Sequence, residues 1–299
     1  MIGLKNLIDN VDITVLNAEF YTVGSEWNYR GVSNPYSRIY YLTEGSGTIE
    51  HHGRQYKMLP GNIYLIPCYT TVNMSSEHGF THYYVHFTSR FQVGLDILTM
   101  FDCNYQAPLV GSLIGRSLFE RLLELNPNKE LSDYDAKKPI YQQALERTVQ
   151  LDQDKSPGEI LETNAIMQLI LSAFFRDYSC PRLLNTMHGL KRFEKVFDHI
   201  HANLDQPITI PQLAKIACLS HTYFSNLFTK LIGTSPLQYI NKRRIERAQE
   251  LLLVTDKTIY QICGQVGIDD EFYFSRLFKK TVGISPDRYR KQQHITNVR

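Results

Sequence analysis

Two kinds of hydrophobic periodicity divide this chain. From about residue 12 to 90, short runs rich in Tyr, Val, Ile and Thr are broken by Gly, Asn and Pro. TVLNAEFYTV, SRIYYLTEG, GTIEHHG, RQYKML, NIYLIP and THYYVHF read as strands, and turn signals separate them at short, regular intervals. That spacing predicts a small antiparallel sandwich or barrel. From about Ser112 the period becomes helical: SLIGRSLFERLLELN repeats apolar residues every three to four positions. So does ILETNAIMQLILSAFFRDY, which follows the Pro157-Gly158 turn. Between them, NPNKELSDYDAKK is polar and predicts a surface loop. The segment 160–178 is apolar on more than one face. One side suits the β domain and another a second subunit, or both are internal core.

After Gly189 only short helices are predicted. Thr209 and Gln212 have capping-box spacing ahead of LAKIA, and Ser220 can cap the next helix. Ser235-Pro236 then combines an N-cap with proline at the first helical position. Thr258, Asp270 and Ser285-Pro286 repeat the series. The predicted organisation is a β-rich domain with flanking helices over 1–180, a linker over 181–189 around YSCPRLLNTMHG, and an all-α domain over 190–299. The fold class is therefore α+β.

The helical part contains an internal repeat. FSNLFTKLIGTSPLQY, from Phe224, returns as FSRLFKKTVGISPDRY from Phe274. Across the 17 positions 223–239 and 273–289, ten residues are identical, and they are mostly apolar or capping residues. Phe224, Leu227, Phe228 and Leu231 fall at i, i+3, i+4 and i+7, a buried face. Gly233 and Gly283 stand where a helix ends on a left-handed residue. The positions that differ lie on the opposite face: His221, Thr222, Asn226 and Thr229 in the first copy, Glu271, Phe272, Arg276 and Lys279 in the second. Lys230 and Lys280 are kept in both. Each such helix follows a shorter helix and a tight turn, the order of a helix-turn-helix, whose second helix enters the DNA major groove.

Charge sharpens this picture. Residues 190–299 hold 17 Lys and Arg against 10 Asp and Glu, a net of +7; the preceding 189 hold 15 and 20, a net of −5. A basic segment joined to an acidic one points the C-terminal part toward a polyanion. The helix predicted from about Ser235 to Leu253 spans roughly 28 Å at 1.5 Å per residue. Successive major-groove faces on one side of B-DNA lie about 34 Å apart. One stiff connector can thus seat both reading helices on one duplex. An α-solenoid scaffold is the alternative, but two copies are few for one and leave the basic charge without a role. The five cysteines are scattered with no C-x-x-C pair, which suits free thiols in a cytosolic protein without a zinc site. No membrane span and no signal peptide are predicted.

RRIERAQELL on the connecting helix, the block GIDDEFYFSRLFKKTVGISPDRYR and the phased repeat together resemble the AraC/XylS family of bacterial transcription regulators, over about 100 C-terminal residues. The resemblance implies a seven-helix unit that binds an asymmetric DNA site and usually activates transcription. By position it implies base reading by Thr222, Ser225 and Asn226 in the first motif and by Glu271, Phe272 and Arg276 in the second, with His221 a further DNA-contact candidate. Arg suits guanine and Asn suits adenine. Lys230, Lys279 and Lys280 suit phosphate. Glu271 accepts from cytosine or only supports its helix N-terminus; Phe272 touches a thymine methyl or tucks into the core.

YYLTEGSGTIEHHGRQYKMLPGNIYLIP and the later YYVHF resemble the cupin-like sensor barrel of the sugar-responsive branch of the same family. That resemblance implies an effector site formed by His82, Tyr84 and Glu44, with Trp27, Arg38 and Tyr40 as further candidates. Alternation along THYYVHF puts His82, Tyr84 and His86 on one face. A cupin enzyme is the competing reading, but it needs a metal cluster. His51 and His52 are adjacent, so a strand would point them to opposite faces, and His82 and His86 are roughly 13 Å apart along theirs. No metal, cofactor or catalytic residue is therefore expected. The expectation is a cytosolic DNA-binding regulator, an activator responsive to a sugar-like effector, homodimeric and in contact with RNA polymerase. Its rivals are a regulator whose barrel only dimerises and a DNA-tethered cupin enzyme.

Overall fold

The computed structural model describes residues 8, 11–91, 96–101, 103–109, 112–131, 141–175, 193, 195–232 and 234–294. These fall into two compact units, one built on Ile13–Ser89 and Phe101–Tyr178, the other on Ser179–Ile295 with Arg90–Met100.

Among the described residues the β unit contains nine strands: β1 (Val11–Val23), β2 (Asn28–Val32), β3 (Ser37–Gly45), β4 (Gly47–His51), β5 (Arg54–Met58), β6 (Asn62–Ile66), β7 (Val72–Ser75), β8 (Phe80–Phe91) and β9 (Gln106–Pro108). They form a five-stranded sheet in the order β1-β8-β3-β6-β9 and a four-stranded sheet in the order β2-β7-β4-β5. The described registers are antiparallel. Six strands coincide with the alternating runs in the sequence. The other three, β2, β7 and β9, are only three to five residues long and carry little pattern of their own; pairing partners hold them in place.

Register sets which side chains face the shared interior. Tyr40 of β3 lies between Tyr84 of β8 and Tyr64 of β6, and Arg38 between His86 and Ile66. With period-two alternation, Arg38, Tyr40 and Leu42 share one face. Tyr40, Leu42, Tyr64 and Tyr84 meet Val32, Ile49, Met58 and Met74 of the opposite sheet in one buried cluster. On the outer face, Tyr41 and Tyr83 pack on Phe119 at ring distances of 5.0 and 5.7 Å.

Phe119 belongs to α2 (Arg116–Glu124), which follows the short α1 (Ile97–Met100) and precedes α3 (Tyr141–Gln153) and α4 (Pro157–Ser172). Ser156 and Glu159 close a capping box at the start of α4, and Pro157 occupies its first turn. Ile166, Met167, Ile170 and Leu171 of α4 are buried, whereas Ile160 and Leu161 are exposed.

Two expectations need correction. Lys129, in the stretch predicted as a surface loop, is buried and donates to the Val15 carbonyl at 2.9 Å and to Asp152 at 2.9 Å. Residues 132–138 of that stretch, and the predicted linker, lie outside the described residues. His51 and His52 do not point to opposite faces. His52 and Gly53 both take positive φ (51° and 70°) in a two-residue hairpin turn. The turn folds His52 back, leaving the two Nδ1 atoms 2.9 Å apart.

The helical unit comprises seven described segments: α5 (195–202), α6 (Ile210–Ile216), α7 (His221–Ile232), α8 (Pro236–Val254), α9 (Ile259–Gln265), α10 (Glu271–Val282) and α11 (Pro286–His294). Capping boxes start α6 at Thr209, α8 at Ser235 and α9 at Thr258, and Asp270 caps α10 through the amides of Phe272 and Tyr273. Gly283 ends α10 with φ 92°, in the left-handed region. Gly233 lies outside the described residues.

Candidate nucleic-acid interface and effector site

The sequence repeat is also a repeat of packing. Phe224 and Phe228 lie 5.7 Å apart, as do Phe274 and Phe278. Phe228 meets Tyr239 at 5.5 Å, and Phe278 meets Tyr289 at the same distance. The first set is closed by Phe193 and Phe197, the second by Ile262, Val266 and Ile245. Because the apolar backs dock identically, the fronts emerge identically: the burial sequence along 221–230 is the same, residue for residue, as along 271–280.

On α7, His221, Thr222, Asn226 and Lys230 are exposed and Ser225 is half-buried. On α10, Glu271, Phe272, Arg276, Lys279 and Lys280 are all exposed. Phe272 is 83% exposed, so it does not tuck into the core. Glu271 stands in the first turn of α10, but the capping bonds come from Asp270. All ten candidate DNA contacts thus lie on α7 and α10. The front of α7 carries one cation, Lys230, and that of α10 carries three.

The connector α8 runs 19 residues, about 28 Å. Tyr239 near its start packs with Phe197 and Phe228, while Ala248, Leu251 and Leu252 near its end join the second cluster. One rigid rod therefore carries both motifs. Three contacts that the sequence analysis did not single out fix them further. Arg244 of α8 donates to the carbonyls of Leu204 (3.1 Å) and Gln206 (2.7 Å), just before α6. Asn241 of α8 donates to the Tyr273 hydroxyl at 3.3 Å. Gly267, in the turn between α9 and α10, has φ 68° and lies against the Leu204 carbonyl. Only the positive-φ glycine left a signal in the sequence, inside GIDD.

In the β unit, Trp27, Arg38, Tyr40, His82 and Tyr84 come together in the interior. The Tyr40 ring lies 6.2 Å from Trp27 and 5.5 Å from His82, and His82 lies 5.9 Å from Tyr84. Glu44 does not join them: it lies at the exposed end of β3, beside Thr81. His86, on the face that alternation assigned, stacks near Tyr84 (5.0 Å) and Tyr36 (4.8 Å). Burial pushes the His82 imidazole down to about 3 and holds His86 well below its usual range, so both are neutral at pH 7. Burial also raises Tyr36 to about 12. Tyr84 donates to Glu19 at 2.8 Å, and the Leu131 amide donates to Tyr84 at 3.1 Å. The arrangement offers neutral histidines and tyrosines and one guanidinium between aromatic faces, suited to binding a small polar molecule.

Comparison with known proteins places both halves. Residues 213–292 match the helix-turn-helix domain family, and residues 21–102 match the AraC-like ligand binding domain. The lactose operon transcription activator of Staphylococcus xylosus is 25% identical over 238 residues, covering 78% of this chain and 76% of that protein. The HTH-type transcriptional regulator AlkR of Acinetobacter baylyi is 37% identical over 72 residues, 24% of each chain, so this chain spans about a quarter of that relative. ToxT from Vibrio cholerae is similar in structure, with a TM-score of 0.47 and 14% identity, covering 97% of this chain and 100% of ToxT.

Proposed function

We propose that this chain, an AraC-type regulator by both of its domain matches, is a transcription activator that senses a sugar or sugar derivative inside its β unit. It works as a cytosolic homodimer that contacts RNA polymerase and catalyses no reaction. The observation that carries the DNA-binding mode is the identical burial along α7 and α10, which turns two different polar fronts outward on one scaffold. The helices act as paired readers. Arg276 reads guanine bidentately, Asn226 reads adenine, and Lys230, Lys279 and Lys280 hold phosphates.

For the effector, the support is the cluster of Trp27, Tyr40, His82 and Tyr84, since aromatic faces with a few fixed polar groups suit a carbohydrate. The name of the Staphylococcus xylosus relative, a lactose operon activator, agrees with that class. Ile160 and Leu161, exposed on α4, are the surface proposed for dimerisation. Ligand binding shifts an equilibrium between arrangements of the dimer that engage DNA differently.

Genome-wide mapping of bound sites, with and without candidate sugars, tests this. Binding beside sugar-utilisation genes that changes with the sugar supports the reading. Site occupancy indifferent to every sugar leaves a constitutive regulator instead.

A further inference from the structure

The described residues include three deeply buried cations, and the fold treats them differently. Lys129 is matched by Asp152 at 2.9 Å. Arg243 is matched by Glu246 and also lies 5.1 Å from the Tyr239 ring. Arg38, only 2% exposed in the interior of the β unit, has neither. Among the described residues no carboxylate lies within ion-pair distance of it and no ring lies beneath it. Its Nη1 points at the Met74 sulfur at 3.7 Å, a weak acceptor, and its Nε has no hydrogen-bond partner. Tyr40 shares a hydrogen bond with it, but Tyr36 and Tyr40 are held protonated by burial and supply no negative charge.

The groups around Arg38 are unfinished in the same way. His86, its cross-strand partner, has an unpartnered buried Nδ1; so does His82, and His51 has an unpartnered Nε2. A buried guanidinium without a counter-charge carries a desolvation cost that a tyrosine hydroxyl and a thioether offset only in part. Unpartnered polar atoms gathered beside one such group mark a place where a ligand supplies the missing hydrogen-bond partners, acceptors for the guanidinium above all.

We propose that the effector is anionic, a sugar-sized molecule bearing a carboxylate or a phosphate, and that Arg38 is its charge partner with Tyr40, His82 and His86 alongside. This rests on the reading of the β unit as the effector site and narrows the effector to a charged class. A neutral sugar can accept from Arg38 but cannot neutralise it.

The test is thermal unfolding of the full chain at pH 7 with glucose, galactose, lactose, galacturonate, glucuronate, glucose 6-phosphate and galactose 6-phosphate, with inorganic phosphate as control. Wild type, Arg38→Met and Arg38→Lys are compared. A charged sugar should raise the unfolding temperature where its neutral parent does not, the uronate and phosphate arms separating the two sources. Arg38→Met should unfold at a higher temperature than wild type without ligand and lose affinity roughly tenfold or more. Arg38→Lys should keep part of the response. Equal stabilisation by neutral sugars, or a response undiminished in Arg38→Met, overturns the anionic class and leaves the sugar-sensing reading standing. Stabilisation by inorganic phosphate alone to the same extent also overturns it. A flat response to the whole panel overturns both. If Arg38→Met does not fold, the wild-type panel and Arg38→Lys decide by the same criteria.

Discussion

Gly267 lies so close to Leu204 that a methyl group on it would stand 2.5 Å from the Leu204 carbonyl oxygen and 2.8 Å from Nη2 of Arg244. Gly267 belongs to the second helix-turn-helix, Leu204 precedes the first, and Arg244 is on the rod between them. The spacing between the two reading helices is thus set at a backbone-to-backbone contact as well as along α8. The equivalent turn position in the first motif, nine residues after its Thr cap, is Cys218. It also takes positive φ (54°), but its side chain is exposed. The same turn geometry tolerates a side chain in one copy and not in the other.

Gly267→Ala is therefore expected to destabilise the helical unit by about 2 kcal/mol or more, from left-handed strain and overlap together. Urea unfolding measures this. A loss below about 0.5 kcal/mol would mean that the contact relaxes freely.

Arg276→Ala should weaken binding to a cognate site by about 1–3 kcal/mol and relax preference at one base, whereas Lys280→Ala should weaken all sequences alike and reduce the salt slope by about 1. Titrations of specific and random duplexes at several salt concentrations separate the two. Identical behaviour of the variants would remove the distinction between base reading and phosphate anchoring.

Phe272→Ala should leave stability within about 0.5 kcal/mol of wild type, because the ring is solvated rather than packed. Its effect belongs to DNA: weaker binding at sites with a thymine methyl opposite α10, measured by fluorescence anisotropy on thymine- and uracil-containing duplexes. Unfolding at markedly lower denaturant would show instead that the ring stabilises the fold.

Buried neutral histidines make stability depend on pH. Unfolded, His82 and His51 take up protons near pH 6.5; folded, burial delays this to about 3 and about 4. The unfolded state then binds more protons, so stability is complete above about pH 7 and falls as pH drops below 6.5. The slope approaches about 1.4 kcal/mol per pH unit for each such histidine. Denaturant melts between pH 7 and 5 measure it, and His82→Gln should lower the slope by one histidine's share. An unchanged slope in that variant would place the proton uptake elsewhere.

Much of this molecule was legible in its sequence because the relevant interactions are local. Capping boxes join residues three apart, helical faces repeat within four, and strand alternation needs only neighbours; hence Thr209, Ser235, Thr258 and the fronts of α7 and α10 could be placed in advance. The repeat did the rest, since a shared apolar back implies a shared orientation. What only the tertiary structure decided depends on residues far apart in the chain. Lys129 is buried because Val15, 114 residues away, offers a carbonyl and Asp152 a carboxylate. The short strands β2 and β7 are held by pairing between distant residues, as with Tyr29 opposite Met74 and Val32 opposite Val72. Glu44 stays outside the cluster its neighbours enter because its strand ends at the solvent edge. Arg38 is left without a counter-charge for a similar reason: whether a carboxylate lies opposite a given strand position depends on how two sheets face each other, and no local pattern encodes that.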